Sequence, residues 1–165
     1  MNDEETKAWR KLEQRVEQAY RDMGARKVEH DVELGGRQID VYVEFEAPDR
    51  GVRRIAVEVK NEASPVGSPT VQDFSNVVAA LRRERIVDEG TIVSASGFSR
   101  PGRNAAETYD IRLLTPEDLD AMAERAKKGW RLPPYAPPDP DTLADPGPLP
   151  PGHRMPFARN ELFTG

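Results

Sequence analysis

The sequence predicts an α/β domain, a central mixed sheet flanked by helices, and three observations point to it. Two consecutive segments, "QIDVYVEF" (38–45) and "VRRIAVEVK" (52–60), alternate apolar and polar residues with the period of two that a strand imposes. Segments with apolar residues every three or four positions, the period of a helix face, lie on either side of that pair. Two more short apolar runs, "GTIVSAS" (90–96) and "IRLLT" (111–115), alternate with helical stretches further along.

Taken in order, residues 4–23 are rich in helix formers, and Trp9, Leu12, Val16, Ala19, Tyr20 and Met23 recur at helical spacing, with Gly24 as a fitting stop. A short strand around Lys27 to Leu34 follows and ends at Gly35-Gly36. Between the two alternating strands lies "APDRG", a five-residue loop whose Pro48 and Gly51 suit a hairpin. Residues 69–85 form a second helix with Pro69 near its first turn and an apolar stripe of Val71, Phe74, Val77, Val78 and Leu81. "RPGRNAAETYD" holds a brief third helix. Thr115 caps a final helix that runs to about Lys128.

Length and composition set the bounds. A chain of 165 residues, 37% hydrophobic and 32% charged, supports one domain with a modest core. Ten of its fifteen prolines follow Leu132, a density that denies helix and sheet their amide donors. The domain is therefore expected to cover residues 1–131, and residues 132–165 to form an extended or disordered proline-rich tail. Its last stretch, "HRMPFARNELFTG", regains Met155, Phe157, Leu162 and Phe163, and either docks on a partner or the domain or stays solvated. No run of about 18 apolar residues suggests a membrane span, and the acidic start lacks the plan of a secretory signal, so a cytoplasmic location is expected. Without cysteine there is no disulfide, thiolate metal site or cysteine nucleophile. His30 and His153 show no ligand-like spacing, which argues against zinc. The net charge of −5, or −3 over residues 1–131, argues against a protein that coats nucleic acid by bulk electrostatics. It leaves room for an enzyme that meets nucleic acid along a local basic strip.

The hairpin carries the chemistry. A five-residue loop sets a register in which opposed residue numbers sum to 98, pairing Val41 with Val57, Val43 with Ile55 and Glu44 with Arg54. Ile39, Val41, Val43 and Phe45 then share one face. The same register places Asp40 across from Glu58 on the other face, with Lys60 one step along. Directly opposed Cβ atoms are about 4.5–5.5 Å apart, so two carboxylates there repel unless a cation lies between them. Such a pair suits magnesium, with manganese as a substitute, and the Val59 carbonyl offers one more oxygen. Lys60 would orient the attacking water or offset charge on the phosphorane. A wet sheet face with ordinary surface charges is the alternative.

This pattern resembles the PD-(D/E)xK nuclease superfamily, and most closely the Mrr-like restriction endonuclease catalytic domain. Asp40, seventeen residues, then Glu58-Val59-Lys60 make the motif. By itself the D/E-x-K element is weak; Glu5-Thr6-Lys7 matches it on the first helix. Supporting pieces occur in the family's order: "LEQRVEQAYRDMG", "ELGGRQIDVYVEF", "ASPVGSPTVQDFSNVV" and "GTIVSASGFSRPGRNAAETYDIRLLTPEDL", together spanning about residues 10–122. The resemblance implies a restriction-endonuclease-like three-layer sandwich and a magnesium-dependent DNA endonuclease acting in restriction or defence. It implies Asp40, Glu58 and Val59 as metal ligands and Lys60 as the catalytic cation. Glu13 would reach toward the metal and Gln72 would support the site. Two departures stand out: Glu58 occupies a position commonly Gln in Mrr-like domains, and Gln38 sits where a small residue is usual. Those restriction enzymes usually carry a separate DNA-recognition domain, which is not expected within these 165 residues.

Glu17 competes with Glu13 on the same helix. Arg82, Arg83 and Arg85, with Arg100 and Arg103, are candidate phosphate contacts, or else ordinary surface charges paired with Glu84, Asp88 or Glu89. "SGFSRPGR" has glycines without the spacing of a phosphate-cradling loop. Cutting two strands requires two copies, so a homodimer is expected. A protein partner that supplies targeting, perhaps through the tail, is a further expectation. Two other functions fit the same residues: a structure-selective nuclease of the Holliday-junction resolvase kind, and a non-catalytic DNA-binding or scaffold module.

Overall fold

The computed structural model describes residues 2–49 and 51–129. Helix α1 (Asp3–Asp22) is opened by Asn2, whose side chain accepts from the Glu5 amide at 2.7 Å while Glu5 accepts the Asn2 amide in return. Leu12, Val16, Ala19 and Tyr20 are buried, as their spacing requires. Glu13 and Glu17 are buried beside them, which spacing alone does not explain.

Strands β1 (Lys27–Leu34) and β2 (Arg37–Ala47) meet through Gly35-Gly36, both at positive φ, the conformation a two-residue hairpin demands. β3 (Gly51–Lys60) pairs antiparallel with β2, and Val41 faces Val57, Val43 faces Ile55 and Glu44 faces Arg54, the register expected. Both strands run on toward the turn until Ala47 faces Gly51, so residues 48–50 make the connection rather than five residues. Extension from both sides shortens the loop without shifting the register.

Helix α2 (Ser68–Arg83) leads to β4 (Glu89–Ser94), parallel to β3. Helix α3 (Arg100–Tyr109) leads to β5 (Arg112–Leu114), parallel to β4. Helix α4 (Pro116–Lys127) starts at Thr115, which forms a capping box with Asp118. The sheet order is β1-β2-β3-β4-β5, an antiparallel half and a parallel half joined at β3. It is the three-layer α/β arrangement expected.

Each face of the sheet has its own core. Val41, Val43, Ile55, Val57, Val59 and Val93 pack against Leu12, Val16 and Tyr20 of α1 and Leu119 and Ala123 of α4. Tyr42, Ala56 and Ile92 pack against Val71, Phe74, Val78 and Leu81 of α2 and Ala106 of α3. Gly90 permits the close approach of α2 to β4, because a Cβ there would collide with Val78 and crowd Phe74 and Ile111.

One residue departs from simple alternation. Ile39 was expected to share a face with Val41, yet it packs in the second core with Tyr42. The cause lies in its neighbour strand: Asp31 has φ +49, and the β1–β2 pairing skips Asp31 and Asp40. The bend turns the start of β2 toward α2. Pairing of β2 with β3 ends at Val41–Val57. At Asp40, therefore, β2 parts from β3 and the sheet forks.

All described elements belong to the compact unit Met1–Trp130. The proline-rich segment expected after residue 131 lies outside the described residues. Among the described residues, no helix is long and apolar enough to cross a membrane.

Candidate active site

The fork leaves backbone amides of β3 without a strand to pair with, and Asp40 takes one of them. Its Oδ2 accepts from the Val59 amide at 2.8 Å. The Asp40 and Glu58 carboxyls are close enough to influence each other's protonation, although Asp40–Glu58 lies one step beyond the last ladder pair. Burial pushes the Glu58 carboxyl up to about 7, and the Asp40 charge beside it adds to the shift. Burial likewise raises Asp40, against the pull of the Val59 amide and of Lys60. Lys60 Nζ stands 3.5 Å from Glu58 Oε1, and both side chains are about three-quarters buried.

Glu13 comes to the same fork from α1. It is 6% exposed, and its Oε2 is buried without a hydrogen-bond partner. Burial raises its carboxyl to about 7, with Asp40 as the strongest like charge and His30 as an opposing influence. Glu17, one turn further along, lines the same opening as Glu13, with His30 and Asp31, and its charge adds to the rise of Glu13. Its Oε1 lies 2.8 Å from His30 Nδ1 on β1 and 4.0 Å from Arg21. The two glutamates differ in their partners: Glu17 pairs with His30 and Arg21, whereas Glu13 Oε2 has no hydrogen-bond partner.

Lys60 is shared by two openings. One, of 740 Å³, lies toward the start of α1 and is lined by Glu5, Trp9, Val59, Asn61 and Glu62 among others. The other, of 190 Å³, lies toward α2 and brings Thr70, Asp73, Phe74 and Val77 around Glu58 and Lys60. Sequence reasoning had chosen Gln72 instead. Its amide donates to the Tyr109 hydroxyl of α3 at 3.2 Å and does not line either opening. The signal for Asp73 was present: with α2 starting at Ser68, residues 70, 73, 74 and 77 share one face. Nothing local in the sequence marks His30 as the partner of Glu17, since they lie thirteen residues apart on different elements.

The arginines divide. Arg100 and Arg103 open α3, directly after β4, whose Ser94 pairs with Lys60. The loops that lead into α2 and α3 are laced together there: Val66 donates to the Gly97 carbonyl, Ser99 donates to the Val66 carbonyl, and Ser96 donates to the Glu62 carbonyl. Gly102 allows the contact, since a Cβ would strike the Val66 carbonyl. Arg82, Arg83 and Arg85 are not brought to the site. α2 starts beside Lys60, and its sixteen residues carry its far end about 24 Å away. There Arg82 donates to the Asp88 carbonyl at 2.8 Å and lies 3.6 Å from Asp110, while the Arg85 carbonyl accepts from Arg54.

The donor set fits a hard divalent cation. Asp40 and Glu58 are crowded carboxylates whose repulsion a cation would relieve, and Glu13 presents an unsatisfied buried oxygen near them. Among the described residues, no group of three or more carboxylates or imidazoles is gathered closely enough to hold a metal unaided. An ion held here would complete its shell with water, as magnesium does.

The five-stranded mixed sheet thus forks at a carboxylate pair beside a lysine. Residues 5–123 match the Mrr catalytic-domain family of restriction endonucleases, and the chain belongs to that family. Among solved structures, one shares the fold with a TM-score above 0.5, and two restriction endonucleases match with lower scores. A protein of unknown function, AF1548, is 17% identical with a TM-score of 0.53, over 80% of this chain and 74% of its own. The DNA modification-dependent restriction endonuclease AspBHI is 18% identical with a TM-score of 0.37, over 78% of this chain and 37% of its own. MspJI, a restriction endonuclease solved with a 27-mer oligonucleotide, is 19% identical with a TM-score of 0.44, over 72% of this chain and 28% of its own. No curated protein matches the chain.

Proposed function

We propose that this chain is a magnesium-dependent DNA endonuclease, and that Asp40, Glu58 and Lys60 form its catalytic site. The observation that carries the reading is the fork itself: two neighbouring, partly buried carboxyls with an ammonium 3.5 Å from one of them. A purely structural sheet gains nothing from that crowding. In this reading Asp40, Glu58 and the Val59 carbonyl would hold the ion, with Glu13 as a further oxygen from α1. When bound, magnesium or manganese would polarise the phosphate and make its own water more acidic.

The protein's residues supply the rest. Lys60 holds a positive charge at the mouth of both openings, where it orients the scissile phosphate and offsets charge developing on it. The Val59 amide fixes Asp40 by its hydrogen bond, so the carboxylate need not reorganise on binding. Asp73 and Thr70 line the same opening and would contact the substrate or its water. Arg100 and Arg103, on the site's own side of the sheet, are the phosphate contacts we retain. Cutting both strands calls for two copies of the site, hence a homodimer on DNA.

Plasmid nicking tests this directly, with magnesium, manganese or EDTA, beside Lys60→Ala and Asp40→Ala variants. We expect metal-dependent cutting, reduced by about 10²–10⁴-fold in either variant. No cutting of linear, supercoiled or branched DNA by the unaltered protein would sink the proposal in favour of a binding module. Cutting that survives both substitutions would remove the site assignment.

A further inference from the structure

A second surface lies away from the site, where the α1–α4 core reaches solvent. Ile55 begins the buried part of β3 and Lys60 ends the strand, so about 16 Å of strand separates the two places. Here a groove of 320 Å³ has walls of Tyr20, Met23, Phe45, Ile55, Met122 and Ala126. Three guanidinium groups, Arg53, Arg112 and Arg125, stand among them, and no carboxylate lines it. Met23, Phe45 and Met122 are the partly buried fringe of the core, left uncovered where the C-terminal ends of α1 and α4 border the sheet.

The cations differ in how well they are matched. Arg53 donates to Glu89 at 2.6 Å and lies 6.0 Å from the centre of the Phe45 ring. Arg112 lies 4.0 Å from the Met122 sulfur, and among the described residues Arg125 makes no hydrogen bond or ion pair. Among the described residues, neither has a carboxylate partner. In a chain of net charge −5, two unmatched arginines over an apolar floor are an uneven use of positive charge.

We infer that this groove docks a short acidic peptide of a protein partner, anchored by one leucine or aromatic side chain. An apolar anchor fits the walls, and the two methionines can adjust to its shape. Carboxylates on either side of the anchor would pair with Arg112 and Arg125, whose planar forks suit bidentate contact. A nucleic-acid strand fits less well, because its charge comes without an apolar anchor for the groove's walls. The partner would sit on the pole opposite Lys60 and leave the catalytic mouth open. The inference holds whether or not the chain cuts DNA.

Panning a displayed library of random twelve-residue peptides on the full chain tests it. We expect enriched peptides to carry several Asp or Glu around a Leu, Phe or Trp, and to bind at least about tenfold more weakly to an Arg112→Glu/Arg125→Glu double variant. Circular dichroism checks that the variant is folded, and Arg125→Glu alone serves if the double variant is not. Peptides without acidic residues, peptides indifferent to the substitutions, or no enrichment at all overturn the inference. So does equal competition by a duplex oligonucleotide, by a synthetic peptide of residues 157–163, or by a second copy of the chain through dimerisation lost in the variant. Each of those would reassign the groove to nucleic acid, to the chain's own segment or to self-association.

Discussion

The two ends of the parallel strands handle charge in opposite ways. At the amino end of β3, Arg53 meets Glu89 and Arg54 meets Asp88, each pair opposite in sign and each partly open to water. At the carboxyl end, Asp40, Glu58 and Glu13 bring like charges together under cover, with Lys60 as the near counter-charge. Matched, exposed pairs add little stability and cost little. Crowded, buried carboxyls cost stability and persist only where something else requires them. The contrast is the one expected if the carboxyl end holds the proposed site and the amino end is structural.

The sharpest way to test that contrast is Asp40→Asn. The amide can still accept from Val59, so the local backbone keeps its tie, while the negative charge against Glu58 disappears. Stability and activity should move in opposite directions. Nicking should fall by about 10²–10⁴-fold, whereas in EDTA at pH 8 the variant should melt higher by roughly 3–4 °C, on the order of 1 kcal/mol. A variant that is both inactive and less stable would mean that Asp40 is a structural ligand of Val59 before it is anything else.

Glu13→Gln probes the same end through pH, with a smaller effect. The carboxyl sits near 7 in the folded chain and near 4.5 when exposed. A raised value means that its stabilising share is fully present below about 4.5 and is lost as pH rises through 7. Glu58 acts with the same sign, so the substitution removes only part of the slope. Melting curves at pH 5 and pH 8 without metal should show the unaltered protein losing stability across that interval. The variant should lose less, by on the order of 2 kcal/mol. An unchanged slope would assign the pH dependence elsewhere.

How much of this was legible in the sequence follows from which interactions are local. Strand alternation and the hairpin register depend on neighbours in sequence, and so Val41–Val57 and Glu44–Arg54 were placed correctly before any coordinates. Asp40 and Glu58 came with them. The fork did not, because it arises from a left-handed residue in β1, Asp31, acting on β2 across the ladder. For the same reason Ile39 was assigned to the wrong core. The different partners of Glu13 and Glu17 depend on His30, on a strand that helix periodicity says nothing about. Arg82, Arg83 and Arg85 looked like companions of Arg100 and Arg103 by composition. Only the length of α2 shows that they lie at its far end.

The mildest prediction concerns the amino end. Asp88 Oδ2 accepts from the Arg54 amide at 2.8 Å and lies 3.4 Å from its Nε, while the guanidinium also donates to the Arg85 carbonyl at 2.6 Å. Burial lifts the Asp88 carboxyl somewhat, but the Arg54 amide and guanidinium outweigh it and hold the group below its ordinary range. A depressed value works in the opposite sense from Glu13: its contribution is present above the ordinary carboxylate range and is lost as pH falls through the lowered value. Arg54→Ala keeps the amide and loses the guanidinium, and the pair is partly solvated. The loss should therefore stay under about 1 kcal/mol at pH 7 and shrink further below pH 4. Urea unfolding at pH 3.5 and pH 7 checks both points. A loss several times larger would show that the amino end is held by this arginine, and that its charges are not the inexpensive, replaceable pairs that set it apart from the fork.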